Sequence, residues 1–194
     1  LGFRIKHLGI ARRAANGIEL RVHPTLIPSE ELIANVNGVK NAVLVQAHAV
    51  GPTLYYGAGA GAGPTASAVV ADVIDIVRDI SYTEDGAGTI PQLAFEALTN
   101  VPILSREEMT TGYYIRLNAE DQTGVLADVT TILSRAGISI DAIMQQSRLK
   151  DLIPIVILTD PVLESKMDEA LAQIQALPTI HGEIIRIRLE SLDS

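Results

Sequence analysis

Tyr55–Asp72 reads YYGAGAGAGPTASAVVAD. Gly57, Gly59, Gly61 and Gly63 alternate with alanines, so this backbone carries almost no side chains and another group can come close to it. Pro64 then leads into Thr65–Ile80. There Ala66, Val69, Val70, Val73, Ile74, Val77 and Ile80 recur at three-four spacing, which predicts a helix with one buried face. Asp72, Asp75, Arg78 and Asp79 fall away from that face and read as solvated. A helix start offers unpaired N–H groups and a partial positive charge, so loop and helix together form a corner suited to an anion or a polar ligand. The same residues also suit a plain hinge before a core helix. No Lys-Ser/Thr follows the glycines, which excludes a P-loop, and no βαβ unit with a later acidic ribose ligand surrounds them.

Composition narrows the function classes. The chain has 194 residues, 47% of them hydrophobic, and a formal net charge of −8. Acidic balance argues against a nucleic-acid partner, which needs clustered Lys and Arg. The absence of cysteine removes disulfides and thiolate metal sites and fits a cytoplasmic protein. No apolar run reaches the roughly 18 residues of a membrane helix, so no membrane partner is expected. The opening LGFRIKHLGIARR lacks Met and a cleavage site and reads as the later part of something longer.

Upstream of the glycine run, Ile5–Arg12 and Ile18–His23 read as strands joined at Asn16-Gly17, with Glu19 and Arg21 on one face and Leu20 and Val22 on the other. Pro24 and Pro28 bracket a loop, Leu32–Val36 a helical turn, and Asn41–Ala49 a strand that turns at Gly51-Pro52 into Thr53–Tyr56. The expected arrangement is an antiparallel or mixed sheet with helices on one face, an α+β fold. Downstream, Tyr82–Thr110 loses periodicity and reads as a linker. A strand then follows at Tyr113–Leu117, a turn at Asp121–Gly124, and a helix at Val125–Ala136 stopped by Gly137. Strands at Ile138–Gln145 and Leu152–Thr159 flank a turn at Ser147–Asp151. A helix opened by a capping box at Ser165–Asp168 and a strand at Glu183–Leu189 complete the order. Strand–helix–strand–strand–helix–strand is the ferredoxin-like βαββαβ arrangement. The segments divide as 1–81, a linker 82–110, and 111–194.

His7, His23, His48 and His181 are isolated and form no metal-ligand pair, so no metal is expected. Glu84 and Asp85 read as solvated linker residues. In DQTGVL, Asp121–Leu126, Gly124 permits close approach, and the N–H groups of Val125 and Leu126 can cap a carboxylate; an ordinary tight connection fits the same residues.

The second unit, with D-x-x-G-V-L at Asp121–Leu126 followed by VTTILSRAGISIDAI at Val129–Ile143, resembles an ACT domain, a small regulatory module that binds amino acids. The first resembles the latter half of the catalytic region of homoserine dehydrogenase, through LGFRIKHLGIA (Leu1–Ala11), VHPTLIP (Val22–Pro28), NAV (Asn41–Val43), YYGAGAGAGPTASAVVAD (Tyr55–Asp72) and IPQLAFE (Ile90–Glu96). The resemblance implies NAD- or NADP-dependent interconversion of L-homoserine and L-aspartate 4-semialdehyde in threonine and methionine biosynthesis. It implies cofactor contacts at Gly59, Gly61, Pro64 and Thr65, and an amino-acid effector, L-threonine, at Asp121, Gly124, Val125 and Leu126. It also implies a cytoplasmic homo-oligomer. The family's Rossmann part and catalytic lysine are expected upstream of Leu1, so no catalytic residue is assigned and Lys6 is not given that role. The rival expectation is a stand-alone amino-acid sensor without catalysis.

Overall fold

The computed structural model describes residues 1–82, 99–145 and 152–192. The Ser147–Asp151 turn, Glu84, Asp85 and the segment Ile90–Glu96 lie outside the described residues. Two compact units are present: Leu1–Ala34 with Val101–Ser194, and Asn35–Asn100.

The larger unit is built on a six-stranded sheet. Its strands are β1 (Phe3–Ala14), β2 (Gly17–Pro28), β5 (Thr110–Glu120), β6 (Ile140–Gln145), β7 (Leu152–Leu163) and β8 (Ile180–Leu189), in the order β1-β2-β8-β5-β7-β6. Helices α2 (Val125–Arg135) and α3 (Glu164–Gln175) complete the βαββαβ order expected from sequence. Both cover one face. Tyr113, Ile115 and Leu117 of β5 and Ile155 and Ile157 of β7 pack there against Val129 and Leu133 of α2 and Met167, Ala170 and Ile174 of α3. Full burial of each large apolar side chain contributes about 1.5–3 kcal/mol. Gly137 ends α2 with φ +70°, and Gly137 N–H and Ile138 N–H donate to Ser134 O (3.0 Å) and Leu133 O (2.9 Å). This is the Schellman stop, and it needs a residue at ease in the left-handed region.

The structure corrects one reading of β2 and adds two observations. The strand at Ile18–His23 runs on through Pro24 to Pro28, because β1 pairs with it along its whole length, from Ala14↔Gly17 to Phe3↔Pro28. It also joins the sheet of the βαββαβ segment within the larger unit: Thr25 and Leu26 pair in parallel with Arg188 and Leu189 of β8, and Glu190 N–H donates to Leu26 O (3.0 Å). Of the two faces of β2, the polar one is the buried one. Glu19 and Arg21 are buried, while Leu20 and Val22 are exposed. Arg21 Nη2 lies 2.5 Å from Glu190 Oε2 and its Nε 2.8 Å from Glu19 Oε1, and Arg12 donates to the other Glu190 oxygen. Residues Pro102–Leu104 form a strap along β2, with Ile18 N–H on Pro102 O (2.9 Å) and Leu104 N–H on Ile18 O (3.0 Å). Gly17 admits that strap, since a β-carbon there would overlap Pro102 O.

The expected capping box at Ser165–Asp168 does not form; α3 starts at Glu164 with Leu163 before it. Asp168 instead receives Arg106 Nη2 (2.8 Å) and Arg186 Nη1 (2.5 Å). The reciprocal arrangement occurs in the strap, where Ser105 N–H and Oγ–H both donate to Glu108 Oε2 (3.0 and 2.9 Å).

Glu164 is fully buried and anchors a second cluster. It accepts from Tyr113 Oη (2.6 Å) and from Arg188 Nε and Nη2 (2.9 and 2.5 Å), with Arg186 and Arg106 nearby. Burial alone would raise its carboxyl, but the Arg188 and Tyr113 hydrogen bonds and the arginine charges hold it below the usual carboxylate range. A depressed carboxyl stabilises the fold above its unfolded value of about 4.3, and that contribution is lost as pH falls through the folded value. Glu164→Gln strips the arginines of their buried partner. It is expected to cost about 3–5 kcal/mol at pH 7 and to flatten the acid limb of the stability profile. Urea unfolding between pH 3 and 7 checks both; an unchanged acid limb contradicts the assignment.

Candidate functional site

The smaller unit carries the glycine loop. β3 (Lys40–Ala47) and β4 (Gly51–Ala58) form a two-stranded antiparallel sheet in which Lys40 pairs with Ala58 and Asn41 with Gly57. The turn between them is His48–Val50, and Gly51 and Pro52 already belong to β4. Gly59 N–H donates to Val39 O (3.1 Å), which extends the register into the loop. Gly61 sits at φ +124°, a conformation side-chain-bearing residues rarely adopt, so its glycine is required by the backbone.

Helix α1 spans Ala62–Tyr82, starting three residues before the position expected from sequence. Pro64 and Thr65 therefore lie inside the first turn. Thr65 N–H is engaged with Gly61 O (3.0 Å), the first helical bond. The amides that precede it are those of Ala62 and Gly63, since Pro64 has none. Residues 51–77 contain no Lys or Arg, and the cation nearest in register is Lys40, which pairs with Ala58 and sets its ammonium 5.6 Å from the centre of the Tyr56 ring. The face of α1 expected to be buried is exposed along Val69, Val70, Val73, Ile74, Val77 and Ile80. Periodicity identified the stripe, but no described residue covers it.

The turn after β5 is the second candidate. Gly124 stands at φ +99° immediately before α2, and Asp128 N–H donates to its carbonyl (2.9 Å). Asp121 is exposed. Val125 is buried and Leu126 packs against the core, so both can present only backbone N–H to a ligand. Around the turn stand groups that sequence reasoning did not select. Glu120 accepts from Gln122 Nε2 (2.7 Å), and its other oxygen lies 2.8 Å from His181 Nε2. Glu120 lies one residue outside the motif, and His181 comes from a strand 61 residues away.

The histidines show no catalytic grouping. His23 Nδ1 lies 3.0 Å from Thr25 Oγ1, and burial first, then the Arg188 and Arg21 charges, outweigh the Pro24 carbonyl contact and hold its ring below the usual imidazole value. Among the described residues no cluster of His, Asp and Glu is arranged to hold a metal ion.

Two family models match the chain in order: homoserine dehydrogenase over residues 1–74 and the ACT domain over residues 113–179. The homoserine dehydrogenase of Pseudomonas aeruginosa is 53% identical over the whole chain, and that of Neisseria gonorrhoeae 49% identical over 99% of it. The chain spans 45% and 44% of those two proteins' lengths. The crystal structure of a homoserine dehydrogenase from Thiobacillus denitrificans superposes with a TM-score of 0.89 at 56% identity, over 98% of this chain and 43% of that one. No described helix is long and apolar enough to cross a membrane. Matched from end to end in sequence and superposed over nearly its whole length, the chain belongs to the homoserine dehydrogenase family, whose C-terminal region and ACT domain it represents.

Proposed function

We propose that the protein carrying this chain is an NAD(P)-dependent homoserine dehydrogenase that interconverts L-homoserine and L-aspartate 4-semialdehyde under amino-acid feedback. The reading rests on identity maintained across the entire chain with homoserine dehydrogenases. In the reducing direction, hydride moves from the reduced nicotinamide to the aldehyde carbon, and the carbonyl π pair becomes an alkoxide that takes a proton. The reaction needs the donor held face-on to the carbonyl and a proton source at the oxygen. Gly59 and Gly61 contribute a backbone wall against the cofactor, and Pro64 and Thr65 hold the first turn of α1 behind it. The Rossmann part and the proton-donating lysine are assigned outside these 194 residues.

Segments 1–81, 82–110 and 111–194 are read as catalytic-region, linker and regulatory parts, with β1 and β2 lent to the regulatory sheet. L-Threonine is the proposed effector, its carboxylate received by the Val125 and Leu126 amides beside Gly124 and Asp121. The enzyme is placed in the cytoplasm as a homodimer, and the exposed stripe on α1 packs against the remainder of the enzyme.

The full-length protein is expected to oxidise NADPH or NADH with L-aspartate 4-semialdehyde, whereas the 194-residue chain alone gives no turnover. An inactive full-length protein, or an active 194-residue chain, refutes the assignment. Gly124→Asp sets a negative charge where a carboxylate is received. It should raise the threonine concentration for half-inhibition about tenfold or more with basal turnover nearly unchanged. An unaltered inhibition curve removes the effector from this turn.

A further inference from the structure

Gly59 is a glycine for a reason different from its neighbours. Its backbone is not in the left-handed region that Gly61 occupies. A β-carbon at Gly57 or Gly63 would enter open space, but one at Gly59 would overlap Nδ2 and Cγ of Asn41 and stand 3.1 Å from Asn41 Cβ. The volume a side chain would fill at position 59 is already taken by the Asn41 amide. Pairing of Asn41 with Gly57, and the Gly59 N–H bond to Val39 O, fix this juxtaposition from the backbone. Asn41 is exposed, and its amide has no hydrogen-bond partner among the described residues. The Asn41 amide thus lies beside the loop with a donor and an acceptor unengaged.

We infer that Asn41 is a cofactor-positioning residue, and that its amide pairs with the carboxamide of the nicotinamide ring. The inference rests on the function proposed above. Two primary amides match each other, N–H to C=O in both directions. Gly59 then acts through Asn41: its missing side chain lets the amide lie flat against the loop. The residue forms no bond to the reacting atoms; it sets the rotation of the ring that presents the hydride.

The test uses the full-length enzyme. Asn41→Ala should raise the cofactor KM about tenfold with a smaller change in kcat and an unchanged melting temperature. Gly59→Ala should produce a similar defect, because its methyl displaces the flexible end of Asn41. The double variant N41A/G59A should be no worse than the more impaired single variant. With the 3-acetylpyridine cofactor analogue, which lacks the amide N–H, the Asn41→Ala penalty should shrink. Unchanged kinetics in Asn41→Ala, defects that multiply in the double variant, or an equal penalty with the analogue would each overturn the role of Asn41. An inactive wild-type full-length protein would instead overturn the dehydrogenase reading, and this inference with it.

Discussion

The architecture depends on β8 being held from both sides by buried arginine–carboxylate pairs. On one side its hydrogen-bonded register with β2 is two residue pairs long, too short to dock a hairpin firmly. Glu190, immediately after β8, makes up the difference by receiving Arg21 and Arg12, one from each strand of that hairpin. On the other side Arg186 and Arg188 of β8 reach Glu164 and Asp168 at the start of α3, and Tyr113 of β5 closes the group. Such pairs add little net stability over an apolar substitute, because desolvation offsets the attraction. Their value lies in geometry: an arginine as buried as Arg21 is costly without its acid, and the observed strand order supplies that acid.

That network also explains which parts of the fold sequence could reveal. Helices and strands of the βαββαβ unit were legible because their cores are local in pattern. Val125, Val129 and Leu133 repeat at helical spacing, and Gly137 marks the stop by its own chemistry. The burial of Glu19 and Arg21 was not legible. Alternation along β2 says that two faces differ, and the usual rule sends Leu20 and Val22 inward. What reverses the rule is a carboxylate 169 residues away. The capping box failed for the same reason. Ser165 and Asp168 have suitable spacing, but arginines on the strap and on β8 claim the Asp168 carboxylate. Pro24 and Pro28 misled because proline usually ends a strand; here they flank the short stretch where β2 meets β8, and Pro24 lies where no β8 partner calls for its missing N–H.

The candidate site divides along similar lines. Gly61 and Gly124 could be selected from sequence because loops before helices commonly need positive φ, and both residues have it. The availability of donors could not. A helix that starts at Ala62 rather than Thr65 moves the open amides to Ala62 and Gly63, and the buried side chains of Val125 and Leu126 leave only their backbone to a ligand. Asn41 was quoted within a matching segment, yet nothing in its own neighbourhood along the chain distinguishes it. Its significance arises from the strand register that sets it against Gly59, a relation no periodicity encodes. The apolar stripe of α1 shows the converse limit: spacing reveals that a face is apolar but not what covers it.

Within the larger unit the β1–β2 hairpin is joined to α3 by hydrogen bonds. Ile18 of β2 is bonded at both its N–H and its carbonyl to the strap. The strap's Arg106 is bonded to Asp168 of α3, and Met109 O accepts from Glu164 N–H. α3 is thus linked to β2 by two routes, the strap and β8. Continuity alone does not make a switch. An effector at the turn shifts the molecule only by the difference in its affinity for two arrangements. In the larger unit's sheet the most deeply buried pairs, Arg21 with Glu190 and Arg188 with Glu164, are the ones any second arrangement would have to keep, because an arginine or acid left unpaired there is costly.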